Sequence, residues 1–499
     1  MSKRIDRRAF MGATSLALGL GITGCAGSSI NPVGESNVSG DRDGENGKTV
    51  PRTCVNDVAH EASLSADIRK LVDKTPLMDT HEHLPPEADR IANLDKLDST
   101  PAPDFGMLMC HYTDSDLRVS GMSGDDYKKL IGRNLSPVEK WKLVAPYYER
   151  CRHTGYQICV RESVRALYGE DDIREDNCEA ISRRLREQVR PGFYRRILRE
   201  AANIEHAQVN SLSNPVFQEI EPADDLLSYD LWTIGIASGV NRNTLNHCAG
   251  AEVTTLKQAH ETIDHIFDKY GPRAIAVKDQ SAYGRRLNYE DVSDEDAAPI
   301  FARYAKGDRS LKPEEMKAVQ DNLFRRCLWL AAVHKLPVKL HTGYTAGHGG
   351  MDLARVRDNM TDVARLSREF PSTTFVLMHI AYPYQRELIA LCKHYPRIYA
   401  DMCWAWIIDP ASSVSFLKEF IMAAPACKLF TFGGDFRPVE LIAGHARVAR
   451  RGIALALTQL VQEGWLAESD APALVERIMR GNARETFDLD RVLKNQKGT

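Results

Sequence analysis

The sequence predicts an α/β fold, a parallel (β/α)8 TIM barrel with a helical insertion after its first strand. Short apolar runs rich in β-formers recur through the C-terminal half, and each follows a helical pattern, which indicates parallel βα units. Several runs end in a histidine, lysine or aspartate, as expected where a barrel's strands open onto its carboxyl-terminal face. A length of 499 residues accommodates one large α/β domain with insertions.

The chain supplies seven of the eight strands directly. The predicted strands are residues 76–81, 204–211, 273–278, 336–341, 373–379, 397–402 and 428–435. We place the remaining strand near residues 115–120. Residues 85–200 are too long for one βα unit and largely helical in pattern, so we predict an insertion there and a barrel over residues 61–490.

The first 25 residues resemble a twin-arginine (Tat) export signal, with a basic head, Arg7-Arg8, Phe10 and a weakly apolar stretch. The motif "ITGC" resembles a lipobox, which would make Cys25 a lipidation site; an ordinary signal peptide is the alternative. Residues 26–60 are rich in Gly, Ser, Asn and Asp and predict a flexible tether. We therefore expect an exported, periplasm-facing lipoprotein anchored to the membrane only through Cys25.

Composition excludes several other classes of protein. The net charge of −3 gives no support to nucleic-acid binding. After the first 30 residues no apolar run reaches the roughly 20 residues that a membrane helix needs. The 11 cysteines are scattered and never spaced C-x-x-C, so they do not predict a zinc ribbon, and no disulfide pairing follows from them.

The ends of the predicted strands carry the residues for a metal site. His81 and His83 alternate along the first strand, so both can point into the barrel mouth while Glu82 points outward. His341, His379 and Asp435 end later strands. Each alone has a structural explanation, because a strand-end histidine can be a hydrogen-bonded loop residue and an aspartate can cap a helix. Their succession at strand ends favours a metal bound by imidazole and carboxylate.

The motifs "MDTHEHL", "KLHTGY", "FVLMHIAYPY", "FTFGGDF" and "RIMRGNARETFDL" resemble the amidohydrolase superfamily, in its amidohydrolase-2 (amidohydrolase-related) branch. The chain is also similar to FluG-type amidohydrolase-like domains and, distantly, to uronate isomerases. The resemblance covers residues 70–490 and is strongest from 336 onward. It implies one divalent metal, most often zinc, bound by His81, His83, His341 and Asp435, with His379 near the substrate. Gly434 departs from the family's usual Ser or Thr.

Lys278 ends the expected fourth strand. In binuclear members of the family a lysine there is carboxylated and bridges two metals, but "VKDQSAYGRR" does not reproduce that pattern closely. A substrate-binding or electrostatic role is the favoured alternative, so we expect one metal per chain. Lys339 also faces inward by alternation with His341, and its role is open.

The predicted activity is hydrolysis of a small, carboxylate-bearing molecule by metal-activated water. Asp435 would accept the proton of that water, and His379 would hold or protonate the developing oxyanion. The candidate substrate-binding residues follow the strand ends: Tyr283, Arg285, Arg286, Tyr344, His348, Tyr382, Trp404, Trp406 and Arg437. The arginines suit a carboxylate, with a structural ion pair as the equal alternative for Arg286 and Arg437, and a place in the core or at the rim is the alternative for the tryptophans.

Other functions remain open from the sequence. A lyase such as a decarboxylase, or an isomerase acting on uronates, would use the same ligands. A non-catalytic binding lipoprotein is a third reading, which the retention of all the ligand-type residues disfavours. A homodimer through the outer helices is compatible with the barrel.

Overall fold

The computed structural model describes residues 52–96, 101–212, 214, 216–219 and 225–497. The first helix, α1, spans Arg52–Lys74. Residues 52–60, which we expected to belong to the tether, are therefore helical. The predicted signal at residues 1–25, Cys25 and the rest of the tether lie outside the described residues. Residues 61–499 are grouped as one compact unit.

Nine strands are present in the described part of the chain, and neighbouring strands pair in parallel. They are β1 Leu77–Glu82, β2 Ile204–Val209, β3 Leu227–Tyr229, β4 Leu231–Trp232, β5 Val277–Asp279, β6 Val338–Leu340, β7 Phe375–Leu377, β8 Ile398–Asp401 and β9 Leu429–Phe430. Their order is β1-β2-β3 in one sheet and β4 to β9 in the other.

The two sheets close into one barrel. Only Asp230 separates β3 from β4, and both flank β5, since Ile275 N donates to Tyr229 O at 3.0 Å and Leu231 N donates to Ala276 O at 2.8 Å. At the other seam, Thr80 N donates to Phe432 O at 3.1 Å. Because β3 and β4 act as one barrel strand, the fold has eight strands, which confirms the predicted α/β barrel.

The prediction of a strand near residues 115–120 is wrong. Asp114–Val119 forms helix α3, with Leu117 buried and Val119 76% exposed. The missing barrel strand is instead β3 with β4. Its sequence, "LSYDLW", is short, and no helical pattern precedes it directly. Hydrophobic periodicity therefore did not predict a strand there.

The insertion between β1 and β2 is helical, as predicted. Its α-helices are α2 Glu87–Ala92, α3 Asp114–Val119, α4 Gly124–Ile131, α5 Pro137–Cys151, α6 Gly155–Tyr168, α7 Cys178–Gln188 and α8 Phe193–Arg195. Two 3-10 turns, Phe105–Met109 and His111–Thr113, precede α3, and a π-helical turn at Arg196–Ala201 follows α8. Local sequence explains α5, because Ser136 and Glu139 form a capping box before Pro137 at its first turn.

The barrel is surrounded by further helices. They are α9 Arg242–Ala249, α10 Leu256–Tyr270, α11 Asp294–Ala305, α12 Pro313–Val333, α13 Leu353–Glu369, α14 Gln385–His394, α15 Ala405–Ile408, α16 Pro410–Ala423, α17 Glu440–Gln462, α18 Ala471–Glu476, α19 Asn482–Thr486 and α20 Leu489–Lys497. Shorter 3-10 or π-helical turns occur at Ile234–Ser238, Ser281–Tyr283, His379–Ala381, Ala426–Lys428, Glu468–Asp470 and Arg477–Gly481. The largely buried α17 packs against α6, which attaches the insertion to the barrel.

Two further properties concern only the described residues. None of their helices is both long and apolar enough to span a membrane. Nine of their cysteines are free thiols, and seven of these are buried, so they act mainly as small apolar core residues.

Candidate metal centre

The carboxyl ends of the barrel strands bring the predicted chemistry together. His81 and His83 lie on or just after β1, Lys278 lies in β5, and Asp435 follows β9. His341 follows β6 and His379 follows β7. All six side chains are at most 5% exposed. The strand-end rule therefore placed each of them at this face of the barrel.

Three of these residues form a tight group around one carboxylate oxygen. Asp435 Oδ1 lies 3.2 Å from His83 Nε2 and 3.5 Å from His81 Nε2. One potential ligand atom from each residue falls within 4.8 Å of the others. Asp435 Oδ1 and both ring nitrogens of His81 are buried without a hydrogen-bond partner. Buried polar atoms rarely lack a hydrogen-bond partner in folded proteins. Two imidazoles and a carboxylate are ligands that suit Zn²⁺ or a related ion.

Electrostatics keep these imidazoles in the form that binds metal. Burial lowers the pKa of His81 well below its usual range, and the nearby charge of Lys278 lowers it further. Burial likewise lowers the pKa of His341 and of His379. The rings are therefore neutral at pH 7, as metal coordination requires.

Neighbouring groups orient the two histidines of β1. His83 Nδ1 donates to Asn210 O at 2.9 Å, so the lone pair lies on Nε2, which faces Asp435 and lies 3.4 Å from Gln280 Nε2. His81 Nδ1 faces Asp230 Oδ2 at 3.6 Å. Asp230 is in turn paired with Lys339, whose Nζ lies 2.8 Å from Oδ1. Lys339 does face inward, and it belongs to this supporting ion pair.

His341 and His379 form a separate pair. His341 Nε2 donates to Tyr344 O at 2.9 Å and His379 Nδ1 donates to Cys403 O at 3.1 Å, because a carbonyl oxygen can only accept. The remaining nitrogens, His341 Nδ1 and His379 Nε2, face each other at 3.0 Å. Two bare lone pairs repel at that distance, so the pair is suited to share a proton or bind a cation. His341 thus lies beside His379 and outside the three-residue group, and its role as a ligand stays a prediction.

Lys278 lies at the base of the site and is fully buried. Burial lowers the pKa of its ammonium group, whose Nζ lies 2.7 Å from Met378 Sδ. The carboxylates of Asp435 and Asp230 are close enough to stabilise its charge. An electrostatic role at the centre fits these contacts, and a bridging role stays untested.

Two of the predicted substrate-binding arginines are used elsewhere. Arg285 pairs with the buried Asp321, and Arg286 Nη2 lies 2.8 Å from Asp362 Oδ1. Both therefore form ion pairs with acidic residues of neighbouring helices, and their role in substrate binding stays a prediction. Arg437, in contrast, is exposed, and no ion pair is found for it among the described residues. Its charge lowers the pKa of the buried His111, so it lies at the mouth of the site.

The predicted aromatic residues divide between the site and the core. The Tyr283 ring centroid lies 4.4 Å from that of His341, and the Trp404 ring lies 5.2 Å from His379. Tyr344 and Tyr382 contact each other at 6.0 Å, and the Tyr344 ring lies 5.7 Å from Trp404. Trp406 is a core residue instead, because it is fully buried and its Nε1 donates to Thr431 O at 2.7 Å. His348 is exposed.

Four further residues near the site were not predicted from the sequence. Two come from the insertion: the His111 ring lies 6.4 Å from His83, and Tyr112 stacks on Trp404 at 4.1 Å. Burial and the adjacent Asp435 raise the pKa of Tyr112 well above its usual range, so its phenol stays protonated. Asp230 was not predicted because it lies between β3 and β4, which were not predicted as a strand. Cys403, which forms a second potential ligand group with His379 and Asp435, carried no signal beyond its place after β8.

Glu82, which was expected to point away from the two histidines, is buried against the segment that follows β9. Glu82 is fully buried, and its Oε2 accepts a hydrogen bond from Phe436 N at 2.7 Å. Burial and the nearby Asp79 raise the pKa of Glu82 well above its usual range. This burial is compatible with the expected alternation, because the segment after β9 covers this end of β1.

Comparisons with known proteins agree with this geometry. Residues 282–489 match the family model described as Amidohydrolase, a stretch that contains His341, His379 and Asp435. The protein fluG of Emericella nidulans is 25% identical over 230 residues, which are 44% of this chain and 26% of fluG. The chain therefore matches about a quarter of that relative's length.

Two solved structures share most of the fold. Uronate isomerase from Thermotoga maritima superposes with a TM-score of 0.68 at 15% identity, covering 85% of this chain and 97% of its own. Glucuronate isomerase from Caulobacter crescentus gives a TM-score of 0.65 at 18% identity, covering 86% and 95%. At these identities the likeness establishes the fold.

The buried histidines and aspartate at the carboxyl end of a parallel barrel form a candidate metal centre of the kind found in barrel enzymes. The family model and the fluG match then narrow the class. The chain is similar to the amidohydrolase superfamily, as its motifs predicted, with the family match over residues 282–489, and it shares its fold with uronate isomerases.

Proposed function

We propose that this chain is a hydrolase that cleaves a small carboxylate-bearing molecule with water activated at a divalent metal, which we expect to be one Zn²⁺ per chain. The observation that carries the proposal is the group formed by His81, His83 and Asp435: one potential ligand atom from each lies within 4.8 Å of the others, and His81 Nε2 and Asp435 Oδ1 have no hydrogen-bond partner. Such a group suits a cation better than any internal hydrogen-bond arrangement.

A divalent ion held there would lower the pKa of a water and polarise a substrate oxygen. Residues of this chain would accept and donate the protons that the reaction transfers. Asp435 is placed to accept a proton from the attacking water and return it to the leaving group. Its Oδ2 lies 3.8 Å from His379 Nδ1, so His379 adjoins the same carboxylate and could stabilise developing charge. The Tyr112 phenol is a second donor beside it.

The carboxylate on the substrate is inferred from Arg437. With Arg285 and Arg286 held in ion pairs, Arg437 is the predicted arginine that remains available at the site mouth. A guanidinium can grip a carboxylate with two hydrogen bonds. Tyr283, Tyr344, Tyr382 and Trp404 would then form the side walls for an apolar or ring portion.

A second candidate is metal-dependent isomerisation or decarboxylation of a sugar acid. It is supported by the Tyr112 phenol next to Asp435, an acid and base pair that could move a proton without consuming water. The two structural neighbours named as uronate and glucuronate isomerases make uronates the first compounds to test.

One experiment separates these activities. Purified protein is first analysed for metal, and about one divalent ion per chain is expected; none would contradict the metal centre. Lactones, N-acyl amino acids, uronates and aromatic acids are then screened in H₂¹⁸O. Incorporation of ¹⁸O into a new carboxylate marks hydrolysis, release of CO₂ marks a lyase, and a product of unchanged mass without the label marks an isomerase.

We further propose export by the twin-arginine route, lipidation of Cys25 and a possible homodimer. Replacement of Arg7-Arg8 by a pair of lysines should stop export. Replacement of Cys25 by alanine should release exported protein from the membrane fraction. Continued export of the lysine variant would favour the ordinary secretory route.

A further inference from the structure

We propose that Glu82 is a positioning residue for Asp435, acting through the backbone on either side of it, and that Gly434 is required to make room for Glu82. This inference rests on the proposed metal centre. It assigns a role to the residue between the two histidines of the H-x-H motif, which itself faces no ligand position.

The backbone around Asp435 is held by groups of β1. Gly434 N donates to Asp79 Oδ1 at 3.2 Å, and Asp435 N donates to His81 O at 2.8 Å. Phe436 N donates to Glu82 Oε2 at 2.7 Å. Three successive amides are therefore fixed by a single strand, and Glu82 supplies the last of them.

Asp435 needs such support because of its backbone conformation. Its φ is 60°, in the left-handed region that side chains other than glycine adopt reluctantly. A conformation of this kind persists only where surrounding contacts enforce it. The hydrogen bonds on both sides of Asp435 therefore determine where its carboxylate points.

Gly434 and Glu82 fit each other closely. A Cβ placed on Gly434 would lie 1.9 Å from Glu82 Oε1 and 2.8 Å from its Cδ. The carboxyl group is buried, and it is fixed by its bond to Phe436 N, by a side-chain hydrogen bond with Asp79 and by packing against this glycine. Any side chain at position 434 would have to displace Glu82.

β1 thus contributes two kinds of function to the centre. His81 and His83 face Asp435 Oδ1 directly, while Glu82, on the other side of the strand, fixes the segment that carries Asp435. Residues that orient a ligand in this way commonly change metal affinity ten- to a hundredfold when they are replaced.

The test measures Zn²⁺ affinity of the metal-stripped full chain by competition with a chromophoric chelator. The variants are E82A, E82Q, G434S and the double variant E82A/G434S, with E205A as the control, since Glu205 lies on β2 and pairs with Arg480 and Arg484. Near-UV circular dichroism and thermal melting verify the fold of each variant. E82Q keeps an oxygen that can accept from Phe436 N, and E82A does not.

We expect E82A to bind Zn²⁺ about ten- to a hundredfold more weakly, and E82Q and E205A to stay within about threefold of the original chain. G434S should weaken binding at least as much as E82A. The double variant should bind more tightly than G434S, because the space of the carboxyl group is then free for the serine.

Unchanged affinity in folded E82A, or in G434S, would overturn the inference. A double variant no tighter than G434S would overturn the proposed fit between the two positions. If E82A does not fold, G434A decides the question, and affinity equal to the original chain would then contradict the proposal. Absence of Zn²⁺ binding by the original chain would instead contradict the metal centre itself.

Discussion

His83 Nε2 lies 3.2 Å from Asp435 Oδ1, a contact that joins the end of the first barrel strand to the segment after the last. The two residues are 352 positions apart, and barrel closure alone brings them together. Each metal ligand on one side of this seam therefore depends on the backbone of the other side.

Replacement of His83 by alanine should remove the metal. A site with three protein ligands loses most of its affinity when one is deleted, so we expect Zn²⁺ binding to weaken at least about a hundredfold. Metal content after dialysis and chelator competition measure this. The buried His206 on β2, which contacts Ser228, is the matched control, and H206A should keep its metal. Full metal content in folded H83A would contradict the assignment.

Arg437 and Arg286 should respond differently to replacement by glutamine. R437Q should raise KM for a carboxylate substrate about tenfold or more, with little change in metal content, because a charge-assisted hydrogen bond contributes about 1.5–3 kcal/mol. R286Q should leave KM unchanged and lower the melting temperature, since Arg286 pairs with Asp358 and Asp362. Equal KM effects in the two variants would contradict this division.

The buried pair of Lys339 and Asp230 should be sensitive to the loss of one partner. Both side chains have no exposure, so K339M leaves an uncompensated carboxylate and should lower the free energy of unfolding by about 3–5 kcal/mol. The double variant K339M/D230N should recover part of that loss. Urea unfolding of the metal-stripped chain measures both, and additive effects would show that the two residues do not interact.

Replacement of Tyr112 by phenylalanine should separate chemistry from metal binding. The ring would keep its stacking on Trp404, while the phenolic proton beside Asp435 would be lost. We expect kcat to fall about a hundredfold with metal content unchanged, as for loss of a general acid. An unchanged kcat would remove Tyr112 from the mechanism.

The contribution of the buried His206 and His445 to the stability of the metal-stripped chain should fall as the pH is lowered from about 7 towards 4. Burial lowers the pKa of His206 to about 4 and that of His445 to about 3. Below the ordinary histidine pKa the unfolded chain binds protons that the folded chain does not, so each histidine favours unfolding as the pH falls. For His206 the loss approaches roughly 3 kcal/mol near its folded pKa. Urea unfolding across this range should show a shallower decline for H206Q, and an identical decline would contradict the prediction.

Much of the fold could be predicted because it is encoded locally. Helical patterns alternating with β-rich runs gave the barrel, and seven strands were placed from periodicity. β3 and β4 were missed because they are short and follow no helix directly, so only their pairing with β2 and β5 reveals them as a strand.

The candidate site was predictable for a related reason. Parallel strands present their carboxyl ends on one face, so His81, His83, His341, His379 and Asp435 could be grouped without coordinates. Residues from the insertion could not, since the position of His111 and Tyr112 depends on how α6 and α17 pack. The same limit applied to Arg285 and Arg286, whose partners Asp321 and Asp362 lie on α12 and α13.

The sequence by itself determined the class of fold, the resemblance to the amidohydrolase superfamily and the residues that end the barrel strands, because these depend on local pattern and short motifs. The tertiary structure decided that His341 pairs with His379, that Arg437 remains available at the mouth, and that Glu82 lies buried against Gly434. Each of these depends on contacts between segments far apart in the chain. Such contacts are selected by the packing and hydrogen bonding of the closed barrel, which no local pattern specifies.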